Sequence, residues 1–430
     1  MEEKGLSWWK LSLIGVGCMI GTGYFLGSSL AVQQAGASVL FVYFIAGIIT
    51  WFVFQALAKM TADHVEKGSF RTYAKQAFGP WAGFSNGWMY WSGEVLIMGS
   101  QLTALAIFAK FWFPSVPVWI FASIFSLAGL AVLYLGVKKV EDMENIFGLM
   151  KAAAIVMFIG LGSAVLFGWI NIQDPAFKVQ TMDFGTGEWT GILVALLYAF
   201  YAFGGIEVMG LMAGELRDPK EVEKSGRIMI LLLTGLYLVS FYLVVKLAPV
   251  EEIDTEESPF LTALKTVDWG WVSHGFNGVL IIAGFSTMVA SLYAVTVMAS
   301  TLAEEGDAPA FLKNKGDRNI PLPAFLLTTS MVAASVVLAL LLPDKIFAYI
   351  TTAAGLMLLY NWLFILFSYR KLMNVRGVSS LKVWIGAGAL LLGVIGTWFD
   401  KTSRTGLWVS FAFLAVIAAA TLVKQRRNQR

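Results

Sequence analysis

Two long apolar segments of the chain are interrupted by glycines near their middle, where a membrane helix is usually most regular. The first reads Gly-Val-Gly-Cys-Met-Ile-Gly-Thr-Gly over residues 15–23, and the second reads Phe-Gly-Gly-Ile-Glu-Val-Met-Gly over residues 203–210. Lipid cannot satisfy a free N–H or C=O group, so irregular backbone at that depth must line a cavity within the protein. Two half-helix ends at one cavity offer N–H donors to an anion and carbonyls to a cation. The carboxylate and ammonium of a free amino acid match that pair of demands.

The composition places the chain among polytopic membrane proteins. Of its 430 residues, 58% are hydrophobic and 14% are charged, a balance that a soluble protein of this length could not bury. Each apolar segment is close to the ~20 residues that a bilayer crossing needs. We predict twelve spans, numbered in chain order: 11–32, 37–60, 84–111, 116–136, 146–169, 189–212, 227–247, 276–301, 324–342, 346–368, 382–399 and 405–423.

The distribution of positive charge predicts the orientation in the cytoplasmic membrane. With both termini in the cytoplasm, 24 of the 31 Lys and Arg residues fall on the inner side and 7 on the outer side. The basic side is therefore a topology signal and not a nucleic-acid surface. Residues 251–257 form an acidic run in an outer loop, which we interpret as a solvated loop, or as a weak attractor of cations.

Several function classes are disfavoured by what the sequence lacks. Cys18 is the single cysteine, and His64 and His274 lie in loops, so neither an intramolecular disulfide nor a zinc or haem centre is expected. No nucleophile–base–metal set is visible, which argues against an enzyme. We expect no cofactor apart from a proton as coupling ion, and no obligate protein partner.

The broken segments occupy spans 1 and 6, which are corresponding positions if the chain contains two repeats of five spans. Five is odd, so the second repeat would enter the membrane from the opposite side. We therefore predict a single transporter domain with an inverted repeat. Its parts are spans 1–5 at about 11–169, spans 6–10 at about 189–368, and two extra spans at about 382–423.

Three motifs resemble the amino acid–polyamine–organocation (APC) superfamily, and within it the amino acid permeases. They are the Gly-x-Gly-x-x-Ile-Gly-Thr-Gly run of span 1, the Phe-x-Gly-x-Glu run at 203–207 followed by Ala-Gly-Glu at 213–215, and Leu-Ala-Glu-Glu-Gly-Asp-Ala-Pro at 302–309. The resemblance covers at least spans 1–10. It implies an all-α polytopic protein with the LeuT-type 5+5 inverted repeat plus two helices, working by alternating access.

The resemblance assigns the substrate carboxylate to the break in span 1. It implies that the Thr22 hydroxyl and the Gly23 N–H hold that group, and we include Ile20 and Gly21 of the same break in the site. The glycine spacing alone fits close helix packing as well. A nucleotide-binding loop is disfavoured, because no soluble strand precedes the run and it lacks a Lys-Ser/Thr ending.

The break in span 6 contributes the remaining backbone groups in this reading. The resemblance implies that the carbonyls of Met19, Tyr201 and Gly204 hold the ammonium, with Tyr201 as an occluding gate beside Phe203. Glu207 is an acid far from either membrane surface, where burial is costly. It either couples substrate arrival to movement of span 1 or bonds the loose N–H groups of span 1 and braces the break.

Span 3 carries an acid at Glu94, which the superfamily resemblance places with Met98 beside the substrate side chain. Three interpretations remain open. Glu94 either pairs with a cationic substrate side chain, carries a proton, or is a protonated structural acid.

Lys151 lies about 7 Å of helix rise inside the start of span 5. Its ammonium could extend to the cytoplasmic surface. The resemblance instead implies that it occupies the place of a sodium ion in sodium-coupled relatives and contacts the Gly17 carbonyl and a span-8 hydroxyl, which we expect to be Ser286.

Together these features predict a proton-coupled importer of free L-amino acids, with cationic or polar substrates favoured by Glu94 and the acidic outer face. Small neutral amino acids are nearly as well supported. An obligate exchanger of amino acids or polyamines is the first alternative. A non-transporting sensor or partner subunit is the second, although the chain shows no sizeable soluble output domain.

Overall fold

The computed structural model shows a helical protein. It describes residues 5–66, 68–135, 138–170, 179–182, 184, 188–265, 270–313, 321–342 and 345–428. Within these ranges the regular elements are all helices, apart from one isolated β-bridge between Leu6 and Leu216.

Among the described residues, the first half of the chain forms eight α-helices. They are α1 (Trp8–Met19), α2 (Thr22–Phe25), α3 (Gly27–Ala35), α4 (Val39–Asp63), α5 (Phe70–Phe78), α6 (Pro80–Lys110), α7 (Val118–Leu135) and α8 (Lys138–Leu166). Span 1 is thus built from α1, α2 and α3. The loop after span 2 contains the short helix α5.

The part of the second half that the structure describes forms nine α-helices. They are α9 (Trp189–Ala202), α10 (Ile206–Met212), α11 (Val222–Leu247), α12 (Pro259–Leu264), α13 (Gly270–Glu304), α14 (Leu322–Leu341), α15 (Ile346–Leu372), α16 (Gly377–Gly396) and α17 (Lys401–Asn428). Span 6 is α9 followed by α10. The six-residue α12, in the acidic loop between α11 and α13, was not predicted from the sequence.

The number of membrane crossings agrees with the prediction of an all-α polytopic protein. Eleven helical segments in the described part of the chain are long and apolar enough to cross a bilayer. The first of them covers 42 residues, 22–63, about twice the ~20 that one crossing needs. It turns at 36–38, between α3 and α4, and so supplies two crossings, the first of which begins with α1. This gives twelve.

Helices α6 and α15 form the centre of the bundle. They are buried over 83% and 78% of their most apolar windows, against 28% for α7, α14, α16 and α17, which therefore face lipid. The α6 helix packs against α13 on one side and α15 on another. Side chains that project from α6 between these neighbours consequently face the interior of the protein.

A buried charge cluster holds α5 beneath the bundle. The Arg71 side chain is 2% exposed, and one guanidinium nitrogen lies 2.5 Å from the Glu305 carboxylate just after α13. Arg71 and Lys424 of α17 also pair with Asp307. The acids of the Leu-Ala-Glu-Glu-Gly-Asp-Ala-Pro motif therefore join three separate elements on the side of the molecule where α1 begins.

Candidate functional site

A cavity of about 760 Å³ lies where the two broken helices meet. Its walls come from α1, α2, α6, α8, α9, α10 and α13. It extends to Leu6, Trp9 and Lys10 at the start of span 1 and to Glu215 after α10. The cavity thus opens toward the end of the bundle where the N-terminus lies.

The two breaks are in direct contact with each other in the wall of this cavity. Gly205 has φ +113, a left-handed conformation that L side chains rarely adopt. A β-carbon there would lie 3.4 Å from the carbonyl carbon and oxygen of Cys18 and from Cγ of Met19. The sequence folds this way because glycine supplies both the unusual φ and the close approach.

The span-1 break presents backbone donors to the cavity. Helix α1 ends at Met19, Gly21 is extended, and α2 begins at Thr22. The first N–H groups of any helix have no partner within that helix, and they carry the positive end of its dipole. Met19, Gly21, Thr22 and Gly23 all line the cavity. An anionic group in the cavity can therefore accept hydrogen bonds from α2.

Tyr201 lies over the start of α2. A β-carbon on Gly23 would be 2.9 Å from Cε1 of the Tyr201 ring, so only a glycine fits beneath the ring as it stands. The Tyr201 hydroxyl faces Ser100 of α6. Tyr201 and Gly204 line the cavity, as expected for a residue that covers the site and for a neighbouring carbonyl.

The Glu207 carboxyl accepts hydrogen bonds from groups at and beside the span-6 break. Its Oε2 accepts a hydrogen bond of 3.0 Å from the Gly205 N–H, and its Oε1 accepts one from the Trp362 indole of α15. The side chain is 2% exposed and is not part of the cavity wall. Glu207 thus makes a bracing contact, but its hydrogen-bond donors are the Gly205 N–H of span 6 and the Trp362 indole. The sequence had instead led us to expect donors from span 1.

One face of α6 lines the cavity with Tyr90, Glu94, Ile97 and Gln101. These residues recur at the three- and four-residue spacing of a helix face. The hydroxyls of Tyr90 and of Ser291 on α13 face the Glu94 carboxyl. The result is a polar wall opposite the two breaks, suited to a side chain with hydrogen-bond donors or positive charge.

Four of the residues predicted for the site lie outside the cavity wall: Ile20, Met98, Phe203 and Glu207. Around the α6 helix, Met98 lies on one side of Glu94, and Tyr90 and Gln101 lie on the other side. Met98 packs into the apolar contact between α6 and α13. Phe203 is buried against Tyr237 and Tyr43 of neighbouring helices. The side chain of Ile20 is fully buried in the core.

Sequence reasoning missed Tyr90, Gln101, Thr287 and Ser291, all of which line the cavity. The signal for the first two was available, since they fall four residues before and seven residues after Glu94 on the same helical face. Thr287 lies beside Gly21, where an added β-carbon would be 3.2 Å from its methyl group. Nothing in the periodicity of span 8 distinguishes that face.

Lys151 projects from α8 toward α1. Its Nζ donates a hydrogen bond of 2.9 Å to the Gly17 carbonyl, the contact that the family resemblance implied. The helices can approach closely because a β-carbon on Gly17 or on Gly148 would lie 3.5 Å from the other's Cα. Lys151 is 2% exposed, and Ser286 lies in the same cavity wall. An ammonium is thus held one helical turn before the span-1 break.

Aromatic side chains close the opposite end of the molecule. Tyr24 of α2 stacks on Tyr237 with ring centroids 4.3 Å apart. Phe260 of α12 packs against Tyr24, and Phe276 of α13 lies edge-on to Phe25. All five are buried. We refer to these five residues as the aromatic seal; it separates the cavity from the side of the membrane opposite the N-terminus.

Comparisons with known proteins agree with one another. The family model described as "Amino acid permease" matches residues 10–422. The "Uncharacterized transporter YcgH" of Bacillus subtilis (strain 168) is 48% identical over 99% of this chain and 96% of its own length. The "Uncharacterized amino acid permease YvbW" of the same organism is 30% identical over 97% and 96%. The "Aromatic amino acid transport protein AroP" of Salmonella typhimurium (strain SL1344) is 29% identical over 88% and 84%.

Proposed function

Since the chain belongs to the amino acid permease family, we propose that it imports free L-amino acids across the cytoplasmic membrane together with protons. Membership makes it a multi-pass membrane protein of a transporter family and not an enzyme. The excess of Lys and Arg on the N-terminal side supports an orientation with both termini in the cytoplasm. In that orientation the cavity is open to the inside and the aromatic seal closes the outside.

The observation that carries the proposal is one cavity lined by both helix breaks. The N–H groups at the start of α2 suit the substrate carboxylate, and the carbonyls at the end of α1 and at Tyr201 and Gly204 suit its ammonium. Tyr201 lies directly above Gly23, where it can cover a bound amino acid. Division of the chain into two repeats of five spans belongs to the same proposal.

Proton coupling rests on the contact between Lys151 and the Gly17 carbonyl. A protonated Lys151 fastens α1 to α8, and loss of the proton weakens that bond and frees the inner half of span 1 to move. Each proton that enters down 100 mV supplies ~2.3 kcal/mol. That energy sustains a roughly fifty-fold gradient of a neutral substrate, since ~1.4 kcal/mol corresponds to tenfold.

The test of coupling is uptake into liposomes by the Lys151→Ala variant. We expect the variant to bind substrate and to exchange it, but not to accumulate it under an inward proton gradient. Lys382→Ala is the matched control, because that lysine contacts Gln55 and the Phe52 ring away from the cavity. Accumulation by Lys151→Ala at the wild-type level rejects Lys151 as the coupling group. Wild-type uptake that requires internal substrate would instead identify an exchanger.

For the substrate, we propose a side chain that carries hydrogen-bond donors or positive charge. The support is the Glu94 carboxyl in the cavity wall, with the Tyr90 and Ser291 hydroxyls beside it. Aromatic amino acids are the second candidate, because a relative at 29% identity is named as an aromatic amino acid transport protein. The ~760 Å³ cavity is large enough for either class.

A thermal-shift screen against the twenty amino acids separates these substrate classes, because a bound ligand stabilises the folded protein. Glu94→Gln should then weaken lysine or arginine binding far more than phenylalanine or alanine binding, since an unpaired buried charge is costly. Equal losses for cationic and neutral ligands would reject the pairing and leave Glu94 as a proton carrier or a structural acid.

A further inference from the structure

A second, smaller cavity of about 260 Å³ lies at the opposite end of α6 from the main opening. Half of the residues in its wall are apolar: Ile107, Phe108, Phe111, Pro114 and Leu261. Its polar groups are Lys110, Glu256, Glu257, Ser258 and Asn277. These residues come from the end of α6, the acidic loop, α12 and the first turns of α13. We refer to this cavity as the outer pocket.

Two buried polar atoms in the outer pocket have no hydrogen-bond partner among the described residues. They are Oδ1 of Asn277 and Oγ of Ser258, and both side chains are 0% exposed. The Asn277 amide is oriented unambiguously, because its Nδ2 donates a 2.8 Å hydrogen bond to the Phe108 carbonyl. Its Oδ1 is therefore a fixed acceptor. Buried polar groups are nearly always satisfied in native proteins, and a ligand ammonium in this pocket would supply the donor that both atoms lack.

The charges at the rim are arranged as a zwitterion would require. Nζ of Lys110 lies 3.6 Å from Oε2 of Glu256, and the two side chains are 31% and 45% exposed. A pair this exposed is weak and can reopen at little cost. An incoming ammonium can take the place of Lys110 beside Glu256, and an incoming carboxylate can take the place of Glu256 beside Lys110.

We propose that the outer pocket binds a free amino acid before it enters the transport path, a site that rests on the proposed function. The ammonium binds Asn277 Oδ1, Ser258 Oγ and the Glu256 carboxylate. The carboxylate binds the Lys110 ammonium. The pocket therefore recognises the ammonium and carboxylate that every amino acid carries, and its apolar wall of phenylalanine rings and Leu261 adds a contact for an aromatic side chain, the second substrate class proposed above.

The position of the outer pocket supports this role. It lies on α6 and α13, two of the helices that also line the main cavity. Phe276 and Phe260 of the aromatic seal directly neighbour the pocket residues Asn277 and Leu261 in sequence. A bound amino acid would therefore contact α12 and α13, the helices that carry Phe260 and Phe276. It would be held on the side of the aromatic seal that faces away from the main cavity.

The test uses the full-length protein in detergent with the Gly23→Val change, which obstructs the main site. Fluorine NMR with para-fluoro-L-phenylalanine detects binding even when it is weak. We expect saturable binding of this probe, weakened at least about tenfold by adding Lys110→Met or Glu256→Gln. Analogues that lack either the carboxylate or the amine should bind more weakly by a similar factor. Lys265→Met is the matched control, because Lys265 pairs with Glu257 but does not line the pocket.

Three results would overturn the outer pocket as a binding site. They are no saturable binding in Gly23→Val, equal binding with and without Lys110→Met, and a loss in Lys265→Met as large as in Lys110→Met. Should Gly23→Val fail to fold, the otherwise unmodified protein replaces it, and Lys110→Met should then remove one of two binding phases. Failure of the proposed function would look different: the wild-type protein would not accumulate amino acids in liposomes, and Lys110-dependent binding would remain.

Discussion

The two broken helices solve the same problem in opposite ways. In span 6 the Gly205 N–H is satisfied from within the protein, by the Glu207 carboxyl, which also accepts the Trp362 indole. In span 1 the start of α2 opens onto the cavity, and no comparable side chain caps it, since Gly21 precedes Thr22. The chain thus stabilises one break internally and leaves donors of the other for a ligand.

This difference suggests a division of labour between the breaks. An N–H group that already has an acceptor, such as that of Gly205, gains little when a substrate binds. Span 6 therefore contributes mainly its shape, its carbonyls and the Tyr201 ring. A half-helix end that faces a cavity gains a hydrogen-bond partner when the substrate arrives. We therefore expect mutations in span 6 to act on stability and mutations in span 1 to act on binding.

The largest expected effect is on stability, from Glu207→Ala. The change leaves the Gly205 N–H and the Trp362 indole N–H buried without an acceptor. An unsatisfied buried donor costs about 1–3 kcal/mol, so together we expect a loss of about 2–6 kcal/mol of unfolding free energy. Thermal melting of the purified protein should show a clear decrease in midpoint.

Two controls isolate the bracing role. Glu207→Gln keeps one carbonyl acceptor and should lose less stability than Glu207→Ala. Glu94→Ala removes an acid of the same type from the cavity wall, where water can replace it, and should melt close to the wild type. If Glu207→Ala also melts like the wild type, the contrast between a satisfied and an open break fails.

Gly23→Val should have the second-largest effect, and on binding rather than folding. The branched side chain would occupy the space beneath Tyr201, where a β-carbon already comes within 2.9 Å of the ring. Wild-type protein at a ligand concentration of 100 times Kd gains about 2.7 kcal/mol from binding. In the variant that ligand-induced thermal shift should fall to the small remainder that weak binding at the outer pocket contributes, and its melting temperature without ligand should change less than that of Glu207→Ala.

Gly235→Val is the matched control for that experiment. Gly235 is exposed on α11, and a β-carbon there meets no atom within 4 Å. It should keep both folding and the thermal shift. A wild-type thermal shift in Gly23→Val would reject the carboxylate site at the span-1 break.

Much of the fold was accessible from sequence because membrane helices obey simple rules. Apolar runs near the thickness of a bilayer gave twelve crossings, and glycines gave the position of both breaks, as α1, α2, α9 and α10 show. The short α12 was missed, since six residues carry too little periodicity to stand out within an acidic loop. Its role depends on packing against Tyr24, which the sequence does not reveal.

The site was less predictable because it depends on which way side chains point. Glu94 and Lys151 were identified as unusual residues within apolar spans, and both line the cavity. Met98 was expected beside the substrate, but the cavity face of α6 is centred on the Tyr90 and Gln101 side of Glu94. That rotation is set by packing against α13 and α15, and spacing alone does not reveal it, because Met98 and Tyr90 are each four residues from Glu94.

The smallest expected effect comes from adding one methyl group to each break. Gly205 has φ +113, where an alanine is strained by about 1–2 kcal/mol. Gly21 has φ −147, which any residue adopts, and the atoms nearest to its β-carbon would all belong to Thr287, with the methyl group at 3.2 Å. Gly205→Ala should therefore lower the melting temperature measurably, whereas Gly21→Ala should lower it less. Substrate affinity should rank the two the other way. Both glycines line the cavity, but Gly21 lies beside the N–H groups proposed to bind the carboxylate, whereas the Gly205 N–H is already bonded to Glu207. Melting curves with and without ligand give both rankings in one experiment. If Gly21→Ala is the less stable variant and keeps wild-type affinity, the glycines of span 1 serve the backbone and not the ligand, and the contrast between the two breaks would have to be abandoned.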